Sequence, residues 1–217
     1  HPVAHSFPTR RSSDLAFISP VDHTLEGEFS SNYVIPTGLA PPAPAAINVG
    51  GPGEADLNLP PILSLGVTHG FSDAFRMMAE VELIGWSTFE SIDAFSRNTG
   101  VTISERQDYD DAFMVALGAE YDLSDRLTLR GGVAYDKTPS NDAHRTVRVP
   151  DADRYWLSAG LSYELTERIG IDAAYTFVLF DETSVTLKNG APPVRGSRVD
   201  YDDSMAHVVS VNTRFRF

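Results

Sequence analysis

The chain has 217 residues, no cysteine, a formal net charge of −13 at pH 7 and a hydrophobic content of 42%. This length and composition fit one folded domain, and the charge content does not suggest an intrinsically disordered chain. The acidic balance argues against a nucleic-acid-binding surface, which needs clustered Lys and Arg. No run reaches the roughly 18 consecutive apolar residues that a membrane-spanning helix requires.

The first residues show no recognisable start of a protein. Residues 5–15 read HSFPTRRSSDL, which resembles the translation of a common DNA-sequencing adapter. A signal peptide would show an apolar core after a basic stretch, and that pattern is not found here. We therefore expect residues 1–15 to be non-native, and residues 16–217 to be the C-terminal part of a single domain whose natural N-terminal side is missing.

Beyond this segment, apolar and polar residues alternate with the period of two that is typical of strands with two different faces. A first strand is expected near residues 23–29. The alternation then recurs along the chain and predicts about eight strands in total. Each strand has roughly ten residues, the length of a tilted membrane strand. The later segments are 63–67, 75–83, 113–121, 127–135, 155–163, 169–179 and 207–217.

The last segment shows this pattern at the C-terminus. One predicted face carries Val209, Val211, Phe215 and Phe217, and the other carries Ser210, Asn212, Arg214 and Arg216. Apolar side chains on one side and charged ones on the other suit a strand between lipid and water.

The connections between the predicted strands alternate in length. Tight turns are expected at 69–73, 122–125 and 165–167, and long loops at about 31–55, 91–109, 137–152 and 181–205. Short turns at one end and long loops at the other are the pattern of outer-membrane barrels. The predicted fold class is therefore all-β, an antiparallel transmembrane β-barrel.

Two blocks of sequence resemble the C-terminal half of the FadL/TodX (OMPP1) family of outer-membrane transporters. They are YDDAFMVALGAEY at 109–121 and RVPDADRYWLSAG at 148–160, and the segment LTLRGGVAYD at 127–136 and the last strand also fit, so that the resemblance covers about 20–217.

The resemblance implies a monomeric barrel of about fourteen strands in the outer membrane of a Gram-negative bacterium, of which this chain supplies about eight. It further implies an N-terminal hatch outside this chain. Such a barrel moves long-chain fatty acids or related hydrophobic compounds from lipopolysaccharide inwards, without a cofactor and without enzymatic chemistry.

Candidate ligand-binding residues follow from what such a cargo needs, an apolar pocket with a cation near its mouth. The cations are Arg106, Arg130 and Arg154, and the inward aromatic residues are Trp156 and Phe180. Where the family has a basic residue before the strand near 111, this sequence has Glu105 beside Arg106. A pocket without a free cation would favour neutral hydrocarbons over fatty acids.

The other inward charges are expected to join neighbouring strands inside a polar lumen. They are Arg76, Glu80, Glu82, Glu120, Arg130, Asp136 and Asp172. The histidines show no metal-ligand spacing, so no metal site is predicted.

The C-terminal residues Phe215 and Phe217 resemble the signal that the barrel-assembly machinery reads. Two other functions stay open from the residues alone. A complete eight-stranded barrel of structural or adhesin type would fill its interior with side chains. An outer-membrane hydrolase would need a nucleophile beside a histidine, and no spacing singles one out.

Overall fold

The computed structural model describes residues 11–29, 32–35, 45–48, 51–187 and 196–217. Strands dominate, and the described helix is one 3₁₀ turn, Trp86–Thr88. The strands are β1 (Arg11–Ile18), β2 (Val21–Phe29), β3 (Asn32–Ile35), β4 (Ala45–Asn48), β5 (Gly51–Leu59), β6 (Ile62–Gly70), β7 (Phe75–Ile84), β8 (Ser91–Ser96), β9 (Thr102–Arg106), β10 (Ala112–Ser124), β11 (Leu127–Asp136), β12 (Arg154–Glu164), β13 (Ile169–Phe180), β14 (Thr183–Thr186), β15 (Arg198–Tyr201) and β16 (Met205–Phe215). No helix among the described residues is long and apolar enough to span a membrane.

One antiparallel sheet of eight strands organises the fold. Its order is β1-β6-β7-β10-β11-β12-β13-β16. From β6 onwards, tight turns join β6 to β7, β10 to β11 and β12 to β13 at one end of the strands, which we call the turn end. Longer segments connect the strands at the opposite end, which we call the loop end. The predicted alternation of short and long connections is confirmed.

The two faces of this sheet differ as the alternation predicts. Register places Leu117 opposite Val133, Val133 opposite Leu157, and Leu157 opposite Phe177. Leu157 remains 58% exposed and Val209 73%. Soluble proteins rarely expose so continuous an apolar surface, and no second layer covers it in the described part of the chain. This apolar face therefore suits contact with lipid.

The beginning of the sheet differs from the prediction. The segment predicted as its first strand lies in β2, which pairs with β5 in a separate sheet of order β2-β5-β8-β9. The edge strand is β1, where Leu15 and Phe17 match Leu65 and Leu63 across the pair. The charged residues Glu26 and Glu28 of β2 suit water better than lipid.

The predicted long loops also contain more structure than expected. The segment 91–109 forms the β8–β9 hairpin. The described parts of the segment 181–205 include β14 and β15, which pair with each other, while 188–195 lie outside the described residues. Part of the predicted loop 31–55 lies outside the described residues, and the rest includes β3, β4 and the start of β5. Residues of high β-propensity such as Ile92, Phe95 and Ile103 explain why hairpins form there.

The eight-stranded sheet is open. Among the described residues, β1 pairs only with β6 and β16 only with β13, so the two outer strands do not meet. The alternative of a closed eight-stranded barrel is therefore wrong for this chain. Each outer strand leaves one row of backbone N–H and C=O groups unpaired, and such groups cost several kcal/mol each in lipid.

We expect the isolated chain to lack a stable folded state in detergent, because those two edges have no partner. Its electrophoretic migration should be the same before and after heating, whereas folded barrels change their migration on heating. A compact, heat-modifiable band from the isolated 217-residue chain would contradict this expectation.

Candidate functional site: the polar face of the sheet

Alternate residues of the eight strands place three different levels of side chains on the polar face. The level nearest the turn end is charged from β7 to β16, and the middle level is made mainly of small residues in β10 and β11. The level nearest the loop end contains the charged residues Glu82, Asp136 and Arg154. Because strand neighbours lie about 4.8 Å apart and residues i and i+2 about 6.6 Å apart, each level forms a band across the sheet.

The band at the turn end is centred on Glu120 of β10. Its carboxylate accepts hydrogen bonds from Arg76 on one neighbouring strand and from Arg130 Nε on the other, the latter at 2.5 Å. Arg130 Nη1 also donates to Ser162 Oγ at 2.6 Å, and Arg76 Nη2 donates to Asp122 Oδ2 at 3.1 Å. One carboxylate therefore links three strands.

The same band continues to the last strand. Ser162 donates to Asp172. Arg214 Nε lies 3.1 Å from Asp172 Oδ2, and Arg214 Nη2 lies 3.0 Å from Glu164 Oε1, which Arg216 also contacts at 3.3 Å. We call this set the turn-end network. It confirms the predicted cross-strand pairing for Arg76, Glu120, Arg130 and Asp172.

The middle band leaves space above the sheet. Gly118 and Gly132 lie opposite each other, and Ala116 lies opposite Ala134. A Cβ atom at Gly132 would lie 3.2 Å from the Leu117 carbonyl oxygen, so the strands tolerate no larger residue there without shifting. These small residues lie beneath a cavity of about 480 Å³ that is also lined by Met78 and Trp156.

Three of the predicted ligand residues lie together towards the loop end of the sheet, and one of them, Trp156, lines this cavity. Arg154 is directly opposite Phe180, and Trp156 lies two residues further along the same face of β12. The Trp156 indole N–H is buried without a hydrogen-bond partner among the described residues. Arg154 is engaged with Asp136, with 3.2 Å between Nε and Oδ2. Carboxylate recognition by Arg154 would have to compete with this pair.

The other two predicted cations lie elsewhere. Arg130 belongs to the turn-end network and is opposite Gly160, four residues from Trp156 along β12, or about 13 Å. Arg106 ends β9 in the separate four-stranded sheet. Its Nε contacts Asp108 at 2.5 Å and its side chain is 72% exposed. The structure therefore places neither Arg106 nor Arg130 beside Arg154, Trp156 and Phe180.

Sequence reasoning missed two features of this face. The small middle band was not recognised, although the glycines and alanines at alternate positions of β10 and β11 are a visible signal. Glu80 and Glu82 were predicted to join charge networks, yet they form no ion pair among the described residues. Alternation sets the face of a residue, but only register decides whether an opposite charge lies beside it.

Ion pairs and a hydrogen bond connect two of the segments at the loop end. Asp108 contacts Arg106 and also lies 3.3 Å from His144 Nε2, while its backbone carbonyl accepts a hydrogen bond from Asn141. Arg148 reaches Glu105 at 3.3 Å. The segment before β10 is thereby tied to the segment between β11 and β12. The described residues contain no cluster of side chains suited to a metal ion.

The C-terminal aromatic residues occupy the turn end. Phe215 closes β16 opposite Ile169 and is 62% exposed on the apolar face. Phe217 follows the last strand residue by two positions. Their role as a barrel-assembly signal stays a prediction.

These features define a class of protein. An open antiparallel sheet with a lipid-suited face, a charged and cavity-bearing inner face and connections of alternating length is a section of an outer-membrane β-barrel wall. The model of the family "Outer membrane protein transport protein (OMPP1/FadL/TodX)" matches residues 5–217. The chain belongs to this outer-membrane family.

Known relatives agree with this assignment. A 47 kDa outer membrane protein of Pasteurella multocida is 28% identical over 99% of this chain and 49% of its own length. The long-chain fatty acid transport protein of Escherichia coli is 27% identical over 76% of this chain and 37% of its own length. The chain thus spans at most about half of these relatives.

Solved structures show the same fold. A FadL homologue of Pseudomonas aeruginosa superimposes with a TM-score of 0.74 and 24% identity, over 96% of this chain and 50% of that one. The toluene transporter TodX of Pseudomonas putida gives a TM-score of 0.63 at 15% identity, over 96% of this chain and 46% of that one. The eight strands are therefore a fragment of a larger barrel, as predicted.

Replacing Glu120 should weaken the full-length barrel. Glu120→Gln leaves Arg76 and Arg130 without their shared carboxylate, and we expect a loss of about 1–2 kcal/mol after allowing for the partial exposure of both arginines. Denaturant unfolding in detergent measures this loss. Glu167→Gln, in the exposed turn before β13, is the matched control. Equal unfolding midpoints for the two variants would show that the network contributes nothing net.

Acid should release the contact between Asp111 and the 3₁₀ turn. Hydrogen bonds from the Ser87 hydroxyl and backbone N–H, the latter 2.9 Å from Oδ1, hold the pKa of Asp111 below its ordinary value. The contact should be complete above about pH 3.9, the ordinary value, and be lost as the pH falls through the lowered pKa. Amide hydrogen exchange at Ser87, corrected for the intrinsic rate, measures this. Asp111→Asn should remove the pH dependence, and an unchanged profile in that variant would refute the assignment.

Proposed function

We propose that the full-length protein transports hydrophobic compounds across the outer membrane, and that this chain forms the part of the barrel wall that carries a binding cavity. The supporting observation is the middle band of the polar face. There, small residues leave about 480 Å³ beside Met78 and Trp156 within a wall that is otherwise crossed by charge networks. Apolar atoms make up more than half of the cavity lining, beside polar residues such as Ser64 and Glu80, so a site of this volume suits a small and mainly apolar ligand.

We further propose that neutral hydrocarbons suit this wall better than fatty acids. The inward guanidinium groups of Arg76, Arg130, Arg154 and Arg214 all contact carboxylates. Glu80 lines the cavity itself. A bound carboxylate would meet a negative lining, because no cationic residue is among the described residues that line the cavity. The toluene transporter similar in fold and the fatty acid transporter similar in sequence represent the two substrate classes.

In this proposal, Trp156 and Phe180 provide apolar contact area at the loop end of the cavity, and Arg154 orients the site through its pair with Asp136. Ligand enters from the outer leaflet, is held without a covalent change, and leaves by a route through parts of the barrel outside this chain. No catalytic step is required.

Filling the cavity should block uptake. In the full-length protein, Ala134→Phe places an aromatic ring opposite Trp156, and we expect uptake of radiolabelled toluene by a transport-deficient host to fall at least about tenfold, by steric exclusion from the pocket. The matched control is Ala159→Phe, because Ala159 lies on the apolar face of the neighbouring strand and is exposed. Normal uptake by a correctly assembled Ala134→Phe barrel would refute this role of the cavity.

The substrate class is tested with the same strain and a fluorescent long-chain fatty acid. Neutral hydrocarbons should be taken up and the fatty acid should not, because Asp136 already occupies Arg154. Fatty acid uptake that Arg154→Gln abolishes would instead assign the carboxylate-binding role to Arg154. Fatty acid uptake lost only in Arg106→Ala would assign that role to Arg106.

We also propose that the barrel is a monomer in contact with lipid and lipopolysaccharide, and that the barrel-assembly machinery reads Phe215 and Phe217 during insertion. Removing Phe217 should lower the amount of folded protein in the outer membrane while Glu167→Gln leaves it unchanged. Equal folded amounts, measured by heat-modifiable migration, would contradict the assembly role.

A further inference from the structure

From residue 16 onwards, two inward carboxylates lack the partners that the others have. Asp14 also lines the cavity, but it lies in the segment that we expect to be non-native. Glu120, Asp136, Glu164 and Asp172 each contact an arginine of a neighbouring strand. Glu80 and Glu82, both on the polar face of β7, form no hydrogen bond or ion pair among the described residues. The turn-end network is therefore balanced, while β7 presents uncompensated negative charge to the lumen.

The space in front of these carboxylates is open. Glu80 lies between Gly66 and Ala116, and Glu82 lies between Ser64 and Met114. A Cβ atom built on Gly66 would have no atom within 4 Å. Gly66, Ser64 and Glu80 all line the 480 Å³ cavity. The β6–β7 part of the wall thus forms a slot beside the two carboxylates, which we call the Glu80–Glu82 slot.

The charges nearest to this slot are also negative. Glu82 experiences repulsion from Glu80, two residues away on the same face, and from Asp136. Asp136 is neutralised by Arg154, but the inward arginines that the structure describes are all engaged elsewhere on the sheet. Neighbouring like charges on one face of a sheet are unfavourable unless a cation lies between them.

We propose that the Glu80–Glu82 slot receives a Lys or Arg side chain carried by the half of the protein that lies outside this chain. Three observations support this occupant: the carboxylates complement a cation, the slot has open space for a long side chain, and the chain spans about half the length of its relatives. The basic side chain docks the remaining part of the protein against the inner wall. Because the docked cation is paired with Glu80 and Glu82, it offers no free partner to a bound carboxylate, which agrees with the neutral cargo proposed above.

The test uses the full-length protein purified in detergent at low ionic strength. Its unfolding temperature is compared with those of Glu80→Gln, Glu82→Gln and the double variant, with Glu167→Gln as control. A docked cation predicts that the double variant unfolds a few degrees lower than the parent protein, and that the difference largely disappears in about 1 M salt, where the screening length is about 3 Å. The single variants should show smaller decreases in unfolding temperature. They therefore still test the proposal if the double variant does not assemble.

The sign of the shift decides the outcome. If the two carboxylates face only water and each other, neutralising them relieves repulsion, and the variants unfold at the same or a higher temperature than the parent. That result would overturn the proposal. A decrease that chelation of divalent cations reproduces in the parent protein would assign the slot to a metal ion and would also overturn it.

Discussion

The whole architecture depends on one constraint, that backbone N–H and C=O groups within lipid must be paired inside the protein. The eight-stranded sheet satisfies this through continuous antiparallel ladders, such as the ten directly opposed pairs that begin with Leu127 and Tyr163. Once that ladder is fixed, each residue has one face and fixed neighbours. The hydrophobic pattern, the charge networks and the cavity all follow from this register.

The strands and their faces were predictable because a membrane strand must alternate. Segments such as 113–121 and 155–163 lie within β10 and β12, with Leu117 and Leu157 on the apolar face as expected. The start of the sheet was mistaken because residues 1–15 were set aside, so β1 was not considered, and β2 alternates equally well in a separate sheet. Alternation identifies a strand but not its sheet.

The functional face was less predictable than the fold. The alternation of the sequence placed Arg154, Trp156 and Phe180 on one face of the sheet. The register between β12 and β13 then made Arg154 and Phe180 direct neighbours. The same alternation predicted that Glu80 and Glu120 both lie on the polar face, although only Glu120 has arginines beside it. The difference arises from strand order and stagger, which depend on turn lengths and distant pairings, and a single sequence reports these poorly.

The arrangement of charge in levels has a consequence for an apolar cargo. Charges that are already paired across strands, as in the turn-end network, stabilise the wall without offering a free partner to a ligand. Between the two charged levels, Gly118, Gly132 and Ala134 keep the wall thin where an apolar molecule needs room. A hydrophobic compound gains by leaving water for this band, whereas crossing the turn-end network would require contact with hydrated charges. In the transport that we propose, the band would therefore favour residence of an apolar compound in the middle of the wall.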